Sequence, residues 1–177
     1  MMIKNIVLTY FEPFGVRSFN ASKAVVDELS TTSNKIGLPV NWDEISNKLD
    51  EVFLLEPDYL FLFGEAGSIS SPRLELEAHN ISRGKDNIGN NKEDEKIITE
   101  GKDTLYTSFI TDDNFPLSTD AGTYLCNCSY YLSLNKNKNT KVIFIHVPAF
   151  NEEDIEKKKA STEVADAMIR HLLELNP

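Results

Sequence analysis

Val142-Ile143-Phe144-Ile145-His146-Val147, stopped by Pro148, is an apolar, β-branched run interrupted by one histidine. It has the length and composition of a buried strand rather than of a helix. Two runs upstream have the same character, Asn5–Thr9 (N-I-V-L-T) and Tyr59–Phe63 (Y-L-F-L-F). Segments of helical pattern separate the three. Lys23–Leu29 follows Asn20 or Ser22 as cap, and Trp42–Leu55 carries Ile45, Leu49, Val52 and Phe53 on one side. Gly122 leads into a third helical segment through Tyr130 and Leu134, and a last one runs from Glu152 or Ser161 to Leu175. Strands alternating with helices predict an α/β domain with a mostly parallel sheet. Gly37–Val40 reads as a short edge strand, since proline is tolerated better at an edge than at a centre. Leu74–His79 reads as a strand with alternating faces, and the polar stretch Ser82–Glu100 as a surface wrap. Thr31–Lys35 and Asn135–Thr140 read as loops. No repeat or linker divides the chain, so residues 1–177 are expected to form a single domain.

The bulk properties narrow the function. With 41% apolar residues the chain has enough for a sizeable core, while a formal net charge of −10 sets its surface against phosphate. Nucleic acids and anionic membranes are therefore not expected as partners. No run approaches the roughly 18–20 apolar residues of a membrane span. Met1–Tyr10 lacks the features of an export leader and reads as a first core strand. Cys126 and Cys128 are the only cysteines, and a disulfide across that spacing would be badly strained. Free thiols fit a reducing cytosol, so a cytoplasmic location is expected, and they leave one thiol open to chemistry.

In open α/β sheets, sites form beyond the carboxyl ends of the strands. Three segments fall there: Phe11–Gly15, Gly64–Gly67 and His146-Val147-Pro148. Cys126 lies in Asp120-Ala121-Gly122-Thr123-Tyr124-Leu125-Cys126-Asn127, where a glycine turn runs into a helix. A helix N-terminus favours the thiolate and offers N–H groups to a developing oxyanion. The bland reading is a small buried hydrophobe, which suits Cys128. His146 taken alone is an ordinary satisfied core histidine. Set beside Cys126 in the next element, it becomes a candidate base for a cysteine nucleophile. A third group must orient the imidazole, and Glu75 and Glu77 both qualify.

Taken together, the motifs resemble those of pyroglutamyl peptidase I, a family of cysteine peptidases. Phe11-Glu12-Pro13-Phe14-Gly15 with Asn20-Ala21-Ser22 resembles the family's opening, and Gly64-Glu65-Ala66-Gly67 its second glycine turn. Leu74-Glu75 with His79-Asn80 and Asp86-Asn87 is similar to its glutamate segment. Asp120–Asn127 is similar to its nucleophile motif and Phe144–Pro148 to its histidine motif. All five occur in the family's order and span nearly the whole chain. The resemblance implies a three-layer α/β/α sandwich and removal of an N-terminal pyroglutamyl residue from peptides, with no metal or cofactor. It implies Cys126 as nucleophile, His146 as general base and acid, and Glu75, by its spacing from His79-Asn80, as the orienting carboxylate. Phe11, Phe14, Tyr124 and Leu125 fall on positions lining the pocket for the pyrrolidone ring. Asn20, Glu65 and Arg83 are the other expected substrate-binding positions, and homo-oligomers are compatible with the family. Departures from the family pattern are Tyr10 in place of the usual glycine, Glu65 where glutamine is frequent, and a shortened region between Asn20 and Trp42. A divergent hydrolase of another small N-terminal acyl or cyclic group, and a non-catalytic ligand-binding relative, are the alternatives.

Overall fold

The computed structural model describes residues 4–136 and 139–177. Met1 to Ile3 and part of the expected Asn135–Thr140 loop therefore lie outside the described residues. The three apolar runs form β1 (Ile6–Phe11), β3 (Tyr59–Ala66) and β10 (Lys141–Pro148). Between and around them come α1 (Ala21–Glu28), β2 (Asn34–Leu38), α2 (Ile45–Phe53), β4 (Arg73–Glu75), β5 (Glu77–His79), β6 (Ser82–Lys85), β7 (Asn91–Glu95), β8 (Thr104–Tyr106), β9 (Leu117–Ser118), α3 (Leu125–Lys136) and α4 (Ile155–Leu175). The central sheet has the order β2-β1-β3-β10-β4-β9. Its first four strands are mutually parallel, and β4 runs antiparallel to β10.

Successive strand residues point to opposite faces, and both faces of this sheet are covered. On β3 and β10, Leu60, Leu62, Val142 and Phe144 pack with Ile45, Leu49 and Val52 of α2 and Leu125 and Tyr130 of α3. Tyr59, Phe61, Phe63, Ile143, Ile145 and Val147 pack instead with Val25 and Val26 of α1 and Ala165, Met168, Ile169 and Leu172 of α4. Burial on both faces is why these strands read as continuous apolar runs without polar alternation. The same parity turns Gly64 and His146 toward the α2–α3 side.

Several expectations change in detail. The edge strand begins at Asn34, inside the stretch read as a loop, because it pairs in parallel with β1 from Val7↔Asn34 onward. The region between Asn20 and Trp42 thus keeps its strand. Trp42 precedes α2 instead of joining it, since its backbone N–H is taken by Asp86 Oδ2 at 3.0 Å. The expected strand Leu74–His79 divides: β4 joins the central sheet and β5 pairs with β8. Ser82–Glu100 contains a hairpin of β6 with β7, whose polar residues belong to a largely exposed pair.

Asn127, fully buried on α3, joins this outer layer to the helix. Its Oδ1 accepts from His79 N at 2.8 Å, and its Nδ2 donates to His79 O at 2.8 Å and Ile81 O at 2.9 Å. Asn127→Ala would leave these backbone groups buried and unpaired. Chemical denaturation of that variant is expected to show a loss of about 2–4 kcal/mol in unfolding free energy.

Candidate active site

The carboxyl ends of β1, β3 and β10 and the turn before α3 enclose a cavity of about 310 Å³. Cys126, His146, Glu65, Phe11, Phe14, Asn20, Tyr124 and Leu125 all line it. Eight of the ten expected site residues therefore converge on one space, and Glu75 lies directly beneath it.

Gly64 sets the position of the thiol. A Cβ at Gly64 would stand 2.6 Å from Cys126 Sγ and 2.8 Å from Phe144 Cζ. Only the bare backbone lets the sulfur settle against the strand. Gly64 is also the register partner of His146. The sulfur thus sits over the strand position adjacent to the imidazole.

Glu75 is completely buried, and its Oε1 accepts from His146 Nδ1 at 2.7 Å. Arg73 Nε donates to the same oxygen at 2.7 Å. An oxygen accepting from a guanidinium is an acceptor for the imidazole as well, so Nδ1 donates to it, and in the neutral tautomer Nε2 has the lone pair. The Phe144 ring packs beside the imidazole at 4.7 Å between centroids. Tyr130 Oη donates to the Glu75 carbonyl at 2.9 Å. Antiparallel pairing of β4 with β10 makes this possible. Phe144↔Glu75 and His146↔Arg73 are direct cross-strand neighbours on one face.

Cys126 is the second residue of α3, where a backbone N–H has no partner inside the helix. Its own N–H lowers the thiol pKa, as expected from the helix start. Burial, followed by the carboxylates of Glu65 and Glu75, outweighs this and pushes the thiol up to about 12. Burial and the helix start thus act on the thiol in opposite directions, and burial is the larger effect.

The walls are held by the other motif residues. Gly15 has φ +64°, and its N–H donates to Asn87 Oδ1 at 3.0 Å while Asn87 Nδ2 donates to Pro13 O at 3.0 Å. Asn20 caps α1 through Ser22 N at 2.9 Å and reaches back to Glu12 O at 3.2 Å. Phe11 is buried, whereas Phe14 keeps 37% of its surface exposed at the mouth. Tyr124 stands edge-on to Trp42, with centroids 5.3 Å apart, and its Oη donates to Lys85 O at 2.8 Å. Glu65 is engaged at both oxygens, by Arg17 Nη1 and by Ala21 N at 2.7 Å. Burial pushes its carboxyl upward, and the Ala21 N–H and Arg17 pull it back.

Arg83 does not line the cavity. It lies on the exposed β6–β7 hairpin with both Nε and Nη2 bonded to Asp94 at 2.6 Å. The basic residue at the site is Arg73, which sequence reasoning missed. The available signal was its place two residues before Glu75 on a strand, which puts both side chains on one face.

Residues 4–172 match the family described as pyroglutamyl peptidase. The pyrrolidone-carboxylate peptidase of Fusobacterium nucleatum is 31% identical to this chain, over 95% of the chain and 89% of the relative. That of Thermosipho melanesiensis is 34% identical, over 86% and 87%. In three dimensions the chain is similar to the crystal structure of pyrrolidone carboxyl peptidase from Thermus thermophilus. The TM-score is 0.82 at 28% identity, covering 96% of this chain and 99% of the other. The chain belongs to the pyroglutamyl peptidase family of cysteine peptidases. Among the described residues, no helix is long and apolar enough to cross a membrane.

Two measurements follow from this geometry. Gly64→Ala should displace the sulfur and slow alkylation of Cys126 by about tenfold or more, with the fold retained in circular dichroism. In His146→Ala, the alkylation rate should rise about tenfold per pH unit and still be climbing at about pH 10, as required by a thiol pKa pushed up to about 12. A plateau near neutral pH would contradict that value.

Proposed function

We propose that this protein hydrolyses the bond after an N-terminal pyroglutamyl residue of peptides, with Cys126, His146 and Glu75 as its catalytic triad. The observation that carries the reading is the Glu75–His146 pair set beside a thiol seated on Gly64. The small, largely apolar cavity suits an uncharged five-membered lactam. Phe11, Phe14, Tyr124 and Leu125 would pack on its ring. Arg17 compensates the charge of Glu65, which removes the repulsion a bare carboxylate would exert on a substrate carbonyl while leaving lone pairs for a lactam N–H.

The reaction then follows from the atoms in place. His146 Nε2 takes the Cys126 proton as the sulfur attacks the pyroglutamyl carbonyl. A thiol pushed up to about 12 favours removal of its proton together with attack instead of before it. Backbone N–H groups at the start of α3 receive the oxyanion. His146, held by Glu75, returns the proton to the departing amine. Water, deprotonated by His146, then releases pyroglutamate from the thioester. A nucleophile that works only when reduced also supports a cytoplasmic site of action.

The test is release of fluorophore from a pyroglutamyl amide under reducing conditions. Wild type should turn over, and Cys126→Ala and His146→Ala should fall to background. Glu75→Gln should retain folding and lose about 10²–10⁴-fold in kcat, because the imidazole loses its carboxylate partner. Equal rates for wild type and Cys126→Ala would refute the assignment of the nucleophile. A folded, reduced wild type silent on this amide but active on another small N-terminal acyl group would replace the substrate and keep the triad.

A further inference from the structure

Arg73 contacts both halves of the arrangement just described. It is the cross-strand neighbour of His146, and its side chain lines the cavity. Through Nε it holds Glu75 Oε1, the oxygen that also accepts from His146 Nδ1. Through Nη2 it donates to the Asp120 carbonyl at 3.0 Å. Asp120 opens the turn that delivers Cys126, and its Oδ1 accepts from Gly122 N at 2.9 Å. One planar guanidinium therefore spans the strand that orients the base and the turn that carries the nucleophile.

The state of Glu75 makes this tie consequential. Its second oxygen, Oε2, is buried and has no hydrogen-bond partner among the described residues. Hydrogen bonds hold the carboxylate at one oxygen only, and Arg73 and His146 are the two groups that make them among the described residues. Loss of Arg73 would leave a buried carboxylate with His146 as its sole hydrogen-bond partner among the described residues and would remove the side-chain link from the Asp120 carbonyl to β4. A lysine cannot reproduce the contact, because a point ammonium does not bridge two acceptors in fixed geometry as a guanidinium does.

We propose that Arg73 is a positioning residue that braces Glu75 against the Asp120 turn and so fixes the His146 ring relative to Cys126 Sγ. The inference rests on the reading of Cys126 and His146 as the reacting pair, and it concerns geometry rather than substrate identity.

Two readouts test it in parallel: iodoacetamide alkylation of Cys126, located by mass spectrometry, and hydrolysis of a pyroglutamyl amide. Arg73→Met should lower kcat by about 10–100-fold, the range for losing a supporting partner of a catalytic group. Its KM should stay within about twofold, and Cys126 alkylation at neutral pH should slow in step. Arg73→Lys should recover only part of the rate. Added guanidinium, at concentrations too low to denature, should partly rescue Arg73→Ala. In a Glu75→Gln background, Arg73→Met should cost little more, since Arg73 acts through that carboxylate. The proposal is overturned by full activity in Arg73→Met, by losses that multiply independently in the double variant, or by a raised KM at unchanged kcat. If wild type leaves the pyroglutamyl amide intact while the alkylation pattern holds, the substrate reading fails and the role of Arg73 stands.

Discussion

A carboxylate with no exposure to water is the constraint around which this site is arranged. Burying Glu75 carries a desolvation cost of several kcal/mol unless charge and hydrogen bonds compensate it. The compensation comes from two side chains on one oxygen, His146 Nδ1 and Arg73 Nε. Arg73 stands two residues before Glu75 on β4, and His146 is brought to it by the antiparallel docking of β4 against β10 in an otherwise parallel run of strands. That docking makes Glu75, Arg73, Phe144 and His146 one patch on one face. The tautomer of His146 follows from the carboxylate, and the availability of Nε2 follows from the tautomer.

The opposite half of the site depends on an absence. Gly64 has no side chain, and Cys126 Sγ occupies the space one would fill. The helix start that carries Cys126 is held by Asn127, whose amide is wholly committed to His79 and Ile81. Stability and chemistry thus share an element: one residue of α3 anchors the outer β5–β6 layer and its neighbour presents the sulfur. Enclosure has an electrostatic consequence. It raises the thiol to about 12, against the pull of the N–H at the helix start.

Much of this was legible in the chain. β1, β3 and β10 are buried on both faces, and they appear in the sequence as unbroken apolar runs. Cys126 and His146 were singled out by their places at a helix start and a strand end, and Glu75 by its spacing from His79-Asn80; the structure brings Glu75 Oε1 within 2.7 Å of His146 Nδ1. The elements that escaped notice are short or polar. β8 and β9 have three and two residues, and β6–β7 is an exposed hairpin whose pairing no apolar pattern betrays. The partner of β4 is some seventy positions away (His146↔Arg73), so its antiparallel sense has no local signature, and Arg73, two residues before Glu75, falls just outside the expected strand Leu74–His79. Arg83 misled for a related reason. A basic residue in the polar stretch Ser82–Glu100 carries no mark of direction, and Asp94 holds it outward on the hairpin. The upward shift of the thiol was out of reach too, because it depends on burial and on Glu65 and Glu75, which come near only in three dimensions.

The most direct test of the account is to trap the acyl-enzyme. Wild-type protein mixed with excess pyroglutamyl amide, quenched in acid during turnover and digested, should show one pyroglutamyl group attached to the peptide containing Cys126, at the sulfur of that residue. Turnover with no adduct, or with the group on any other side chain, would contradict covalent catalysis by Cys126.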